Sequence, residues 1–311
     1  MRLLLSALAP LLASGPALAA PRVVASVLPV HAIVSAVMGE VGEPELLLPG
    51  KLAEHRAKFT PQQLSDLAEA DLVFIIGAGL EAKLSQLSGS EAVNGKRFVE
   101  LARAPGIRTL PIREGGAWGA HDHAAEDHDH AEESDVPGVL RFDPHVWLDP
   151  FNARLMAVAV AQELVQADPM NGAVYLANAN RFAAALEQDM AAIAQELAPV
   201  KEKPFVVFHD AFQYFENRFG LTGAGSITDV SASAPSAQRL SEVREKILAA
   251  KAACVFREPQ YDGKVVAAVI EGTGAREGVL DPLGADITPG PGAYQALIGN
   301  LARSFKDCLS G

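Results

Sequence analysis

The chemistry open to this chain lies in its eight histidines. Four of them, His121, His123, His128 and His130, fall within "HDHAAEDHDH" (residues 121–130), interleaved with four acidic residues. The others, His31, His55, His145 and His209, are widely separated. Three neutral imidazoles with a fourth oxygen ligand make a tetrahedral set suited to zinc, with Zn–N near about 2.0–2.1 Å. The question is which histidines can converge.

Local context separates them. His209 closes the apolar run "PFVVF" and Asp281 closes "GVL", so both are expected at the carboxyl ends of strands. His55 comes shortly after "ELLLP", with Glu54 beside it, and His145 lies between Pro144 and Trp147. In open parallel sheets the ligand crevice forms beyond the carboxyl ends of strands, which is where these residues belong. His55, His145 and His209 are therefore candidate ligands, with Asp281 or Glu54 as candidate oxygen donors, and the alternative for each histidine is a hydrogen-bonded structural role. His31, in "LPVHAIV", reads instead as a buried or helix-start histidine. The 121–130 cluster has different physics, because a flexible segment that wraps an ion loses about 1–2 kcal/mol of backbone entropy per ordered residue. It reads as an accessory metal-collecting loop of weaker affinity, the alternative being a merely solvated acidic loop.

Stepping outward, strand-like and helix-like patterns alternate. "RVVASVL", "EPELLLP" and "DLVFIIG" read as buried strands, separated by helices at "HAIVSAVMG" and "TPQQLSDLAEA". From about 111 to 142 no apolar period survives, and residues 114–135 carry eight acidic groups and no Lys or Arg. A helix follows from Asn152 to Ala167, and in the next helical run Tyr175, Phe182, Leu186, Ile193 and Leu197 recur on one stripe. Alternation returns from Pro204, with strands at "PFVVFH", "TGAGSIT", "ACVFRE" and "GVLDPL" and a last helix reaching about Phe305. The expected fold is α/β, two similar lobes with mainly parallel sheets joined by one long rigid helix. The division expected is 21–168 for the N-terminal lobe, including the His-rich loop at 113–140, 169–199 for the linking helix, and 200–311 for the C-terminal lobe.

Composition narrows the function. The 311 residues are 49% apolar, enough for two packed cores. "MRLLLSALAPLLASGPALAA" has one basic residue, a short interrupted apolar run and an Ala-Leu-Ala ending, and reads as a cleaved signal peptide over 1–20. An exported protein meets an oxidising compartment, so the only two cysteines, Cys254 and Cys308, are expected to be bonded. A net charge of −12 argues against a nucleic-acid partner. A secreted zinc hydrolase would share the three-ligand site but needs a general base and substrate pocket, and the chain has no H-E-x-x-H helix.

The stretches "PGKLAEHRAKFTPQQLSDLAEADLVFIIG", "DPHVWLDP", "FVVFHDAFQYFENRFGL", "AQRL", "CVFREPQ" and "LDPLG" resemble, in order, the ZnuA-type zinc-binding solute-binding proteins of bacterial ABC importers. The resemblance implies that His55, His145 and His209 hold Zn2+ in the cleft, and that Asp281 occupies a position that ligates metal in some members only. It places the paired cysteines where zinc-binding members have theirs, and gives the His-rich acidic insertion a precedent. It implies no enzymatic reaction, a periplasmic location, a monomer, and delivery to a membrane permease, with a periplasmic zinc chaperone as a further partner. Manganese-selective relatives and adhesins of the same fold are the alternative. They tend to carry a carboxylate where this chain has His209, and imidazole suits zinc better than manganese.

Overall fold

The computed structural model describes residues 20–52, 58–90, 97–113, 118 and 142–311. The signal-peptide reading, Glu54, His55 and the four loop histidines fall outside the described residues, the signal peptide except for Ala20.

Two four-stranded sheets organise the chain. In the first, β1 (Val23–Val27), β2 (Glu45–Leu48), β3 (Leu72–Ile75) and β4 (Arg97–Glu100) lie in the order β2-β1-β3-β4, every pair parallel. In the second, β5 (Phe205–Val207), β6 (Gly223–Ser226), β7 (Cys254–Arg257) and β8 (Arg276–Val279) repeat that arrangement as β6-β5-β7-β8. The central strands are short and apolar on both faces, as parallel strands covered by helices must be. In each sheet the chain reverses direction of travel between the two central strands, and that switch point opens the crevice.

The helices start where the side chains supply caps. Thr60 accepts from the Gln63 amide while Gln63 reaches back to the Thr60 amide, a capping box that opens α2 (Pro61–Glu69). Asp149 caps α4 (Pro150–Ala167), and Ser236 caps α7 (Ala237–Ala250). Helix α1 (Leu28–Met38) is buried along nearly its whole length. It packs against α4, against α5 (Gly172–Leu197) and against α9 (Ala293–Ser310), and so sits at the centre of the molecule.

Helix α5 is the long helix expected from the sequence, about 39 Å at 1.5 Å per residue. Tyr175, Phe182, Leu186, Ile193 and Leu197 are all buried, so the apolar stripe does face inward. Asn178 donates to the Val37 carbonyl at 3.0 Å and Phe182 packs edge-on against Tyr294 at 5.7 Å, so α5 grips both lobes. Cys254 and Cys308 form the expected disulfide, tying β7 to α9 across a separation of 54 residues. Phe305 beside it packs against Phe205, Phe212, Phe215 and Phe256.

Four elements differ from the sequence reading. The strand expected at "GVLDPL" occupies 276–279 instead, because the Asp281 carboxylate turns the chain by accepting the amides of Leu283, Gly284 and Ala285. The last helix runs past Phe305 to Ser310. Helix α3 (Ala82–Ser88) and strand β4 have no counterpart in the sequence pattern: α3 buries only Leu84, and β4 is a half-exposed edge strand with charged ends and no apolar run. Helices α6 (Gln213–Phe219) and α8 (Lys264–Ile270) complete the second lobe. Among the described residues no helix is long and apolar enough to cross a membrane.

Candidate metal centre

The carboxyl end of β5 delivers His209, two residues past Val207, to the switch point of the second sheet. Beside it, the residue after β7 is Glu258. Strand pairing sets their spacing: Val207 lies opposite Phe256, so the strand ends emerge side by side. The Glu258 carboxylate accepts from His209 Nδ1 at 2.6 Å and from the His209 backbone amide at 3.2 Å.

His145 comes from the other lobe, on the turn that leads through Val146–Leu148 into α4. Asp143, two residues earlier, makes the same pair of bonds, accepting from His145 Nδ1 at 2.7 Å and from its backbone amide at 3.0 Å. With its amide nitrogen turned inward, Gln213 donates to the second Asp143 oxygen at 3.1 Å.

Both carboxylates thus fix the tautomer. A proton on each Nδ1 leaves the lone pair on Nε2. The two Nε2 atoms face each other across the lobes at 3.2 Å, and the ring centroids are 5.1 Å apart at an angle of 63°. Both rings are fully buried. Burial, and then the neighbouring His209, hold the pKa of His145 well below that of a free imidazole, keeping the ring neutral and able to ligate. Burial pushes Asp143 up to about 7, against the opposing pull of the His145 amide and of Arg113. Carboxylate-oriented imidazoles are the usual support of a protein-bound zinc ion.

Asp281 is placed differently. One of its oxygens accepts from the amides of Leu283 and Gly284 and from Gln260 Nε2, and the other from the Ala285 amide. Its carboxylate therefore shapes its own loop. That loop meets the other lobe closely: a side chain at Gly50 would come within 2.8 Å of the Leu283 carbonyl, and Gln260 donates to the Gly50 carbonyl at 2.7 Å. Gly50 precedes the segment that carries Glu54 and His55, which lie outside the described residues. Among the described residues, no group of three or more His, Cys, Asp or Glu side chains is arranged to hold an ion. His31 is buried in α1, with Nε2 against the Pro44 carbonyl at 2.9 Å, away from the pair.

Further bonds join the two lobes. Trp147 Nε1 donates to the Pro282 carbonyl at 3.0 Å, and the Tyr294 hydroxyl donates to the Trp147 carbonyl at 2.6 Å. Tyr214 donates to the Asp143 carbonyl at 2.8 Å, and Arg218 forks onto Asp149 at 2.6 and 2.7 Å.

Sequence reading missed Asp143, Glu258 and Gln213. Two of them left a signal: "DPH" puts an acid two residues before a histidine, and "CVFRE" ends an apolar strand on a charge, as "PFVVFH" ends one on a histidine.

Comparison with known proteins supports the same grouping. The family model for the periplasmic zinc-uptake complex component A, ZnuA, matches residues 23–308. The high-affinity zinc uptake system protein ZnuA of Brucella suis is 43% identical, covering 95% of this chain and 94% of its own length. The protein of the same name from Yersinia pestis is 35% identical over 94% of this chain. Among solved structures, a zinc-bound ZnuA deletion mutant superimposes with a TM-score of 0.75 at 27% identity, covering 94% of this chain and 99% of that one. Two parallel sheets of one strand order, a bracing helix, two facing imidazoles and a match over nearly the whole chain together establish that this protein belongs to the ZnuA family of periplasmic zinc-uptake components.

Proposed function

We propose that this protein captures Zn2+ between its two lobes in the periplasm and delivers it to the membrane permease of an ABC importer. The observation that carries the reading is the His145–His209 pair, drawn from opposite lobes, each ring aimed by a buried carboxylate so that two Nε2 lone pairs converge. Two neutral nitrogens at that separation repel unless a cation lies between them. The buried carboxylates Asp143 and Glu258 supply the balancing charge behind the rings.

In this reading His55 is the third ligand, brought in by the segment that follows Gly50. The fourth position falls to Glu54 or to water, because Asp281 would have to give up four hydrogen bonds to reach an ion. His121, His123, His128 and His130 form an accessory collecting loop that raises the local cation concentration near the cleft. Residues 1–20 are a cleaved signal peptide, and the lobes divide at 21–168, 169–199 and 200–311. The mature protein works as a monomer and takes part in exchange with a periplasmic zinc chaperone. The relatives by name are zinc uptake components, a role that asks for binding and release and no reaction. The donor set favours zinc over manganese, since His209 supplies imidazole where a carboxylate would favour the harder ion.

The decisive experiment is metal analysis and titration calorimetry on the mature protein and on His55→Ala, His145→Ala and His209→Ala, together with a deletion of 114–135. One tight zinc site lost in each histidine variant and kept in the deletion supports the reading. A tight site that survives all three substitutions overturns it.

A further inference from the structure

A largely buried cation lies next to the residue that follows His209. Arg113 lies on the segment that runs from Ile107 along the junction of the lobes. Its Nε reaches both oxygens of Asp210, at 3.0 and 3.1 Å, with Nη2 also on Asp210, and its Nη1 donates to Glu216 at 2.6 Å. The Trp118 ring covers the guanidinium face at 3.4 Å. Asp210 and Glu216 are almost fully buried, and the Arg113 side chain is only 17% exposed.

Asp210 is the residue after His209. On the other side, the Arg113 segment holds Asp143: the Asp143 amide donates to the Leu110 carbonyl at 2.9 Å, and the inward-turned Gln213 amide bridges the Pro111 carbonyl and Asp143 at 3.1 Å each. Tyr214 closes the same circuit, accepting from the Leu110 amide at 2.9 Å and donating to the Asp143 carbonyl at 2.8 Å. The Arg113 guanidinium thus holds the neighbour of one metal-facing histidine, while three residues back along its own chain the Leu110 carbonyl holds the backbone of Asp143, whose carboxylate aims the other.

We infer that Arg113 is a positioning residue for the metal site, whose two-carboxylate fork fixes the spacing of the His145 and His209 rings and thereby governs how long the ion is held. The inference rests on the metal-site reading given above. A lysine at this position keeps the charge but cannot fork onto two carboxylates, so geometry and charge can be told apart. Arg218 is the internal control: it also joins α6 to the first lobe, but through Asp149, which caps α4 and does not orient a histidine.

The test uses the full mature chain as wild type, Arg113→Lys, Arg113→Met, Arg218→Lys and His209→Ala. Zinc dissociation is followed with a chromogenic chelator, site geometry by the visible absorption of Co2+-loaded protein, and stability by urea unfolding of the apo forms. Arg113→Lys is expected to release zinc about 10–100-fold faster and to shift the Co2+ spectrum, by analogy with other supporting residues. Arg218→Lys is expected to stay within about twofold of wild type in release, whatever it loses in stability. Wild-type release and an unchanged Co2+ spectrum in Arg113→Lys would overturn the inference. So would an Arg218→Lys variant affected equally. If His209→Ala still binds zinc as tightly as wild type, the metal-site reading itself fails, and this inference with it. If His209→Ala loses zinc while Arg113→Lys does not, only the inference fails.

Discussion

The Nε2 atoms of His145 and His209 lie 3.2 Å apart although 64 residues separate them in sequence. Each ring belongs to a different lobe, so neither lobe alone presents more than one of these two donors. Alanine at either position should cost more zinc affinity than the loss of a residue that only supports a ligand, which is about 10–100-fold. Competition with a chelator of known strength measures it, and equal affinities would remove these residues from the site.

The supporting carboxylates make a graded prediction. Asp143→Asn and Glu258→Gln each retain shape but allow the imidazole to adopt the other tautomer, so each should weaken zinc binding by about 10–100-fold while the protein stays folded. Circular dichroism controls for folding. A variant of normal fold and normal affinity would show that orientation of the ring is unimportant here.

Acid should act on His145 later than on a free imidazole. Its pKa is lowered by burial, so folding disfavours the proton, and the unfolded chain binds it more readily below about pH 6.5. The stability this ring contributes to the apo protein is therefore complete above about pH 6.5 and is lost as pH falls toward its folded value. Urea unfolding of wild type and His145→Gln between pH 8 and 5 should show the wild type losing its advantage on the acid side.

Glu81 predicts the opposite sign. It is buried among Ser26 and the amides of Ile76 and Gly77, and burial raises its carboxyl from 4.5 to about 7. The folded state thus holds a proton that the unfolded state releases, and the stability it contributes is complete below about pH 4.5 and lost as pH rises through about 7. Relative to Glu81→Gln, the wild type should lose on the order of 2–3 kcal/mol between pH 5 and pH 8, at about 1.4 kcal/mol per unit. A difference that does not change with pH would contradict it.

The disulfide should matter to stability and not to the metal. Replacing both Cys254 and Cys308 by Ser releases a loop of 54 residues, worth about 4 kcal/mol on the chain-entropy view and often less in practice. The bond joins β7 to α9 and touches neither imidazole, so zinc affinity of the folded fraction should stay unchanged. Denaturant midpoints and chelator competition on the same samples separate the two effects.

Much of this architecture is legible in the sequence because its signals are local. The runs "VVASV" and "LVFI" and the stripe from Tyr175 to Leu197 give strands and the long helix by apolar period alone. His145 and His209 are legible as strand-end and loop residues. What stayed hidden depends on contacts distant in sequence. Strand β4 has no apolar run, and its place is set by pairing with β3. Glu258 looks like an ordinary surface acid until β7 brings it beside His209, 49 residues away. Arg113 sits in a stretch with no periodicity, and its two carboxylate partners, Asp210 and Glu216, are known only once both lobes are assembled. Asp281 shows the converse. Its setting at a strand end marks it as a candidate ligand, but the amides that engage it belong to the next four residues, whose turn the sequence does not announce.

Helix α5 has a consequence for unloading. A shell that swings open needs a pliant connector, whereas here the lobes share a rod about 39 Å long, packed against α1, α4 and α9. Bending that rod would break apolar packing along its whole stripe. On the reading proposed above, giving up the ion should be an event of a few side chains, with the membrane partner prying two rings apart rather than unfolding a clasp.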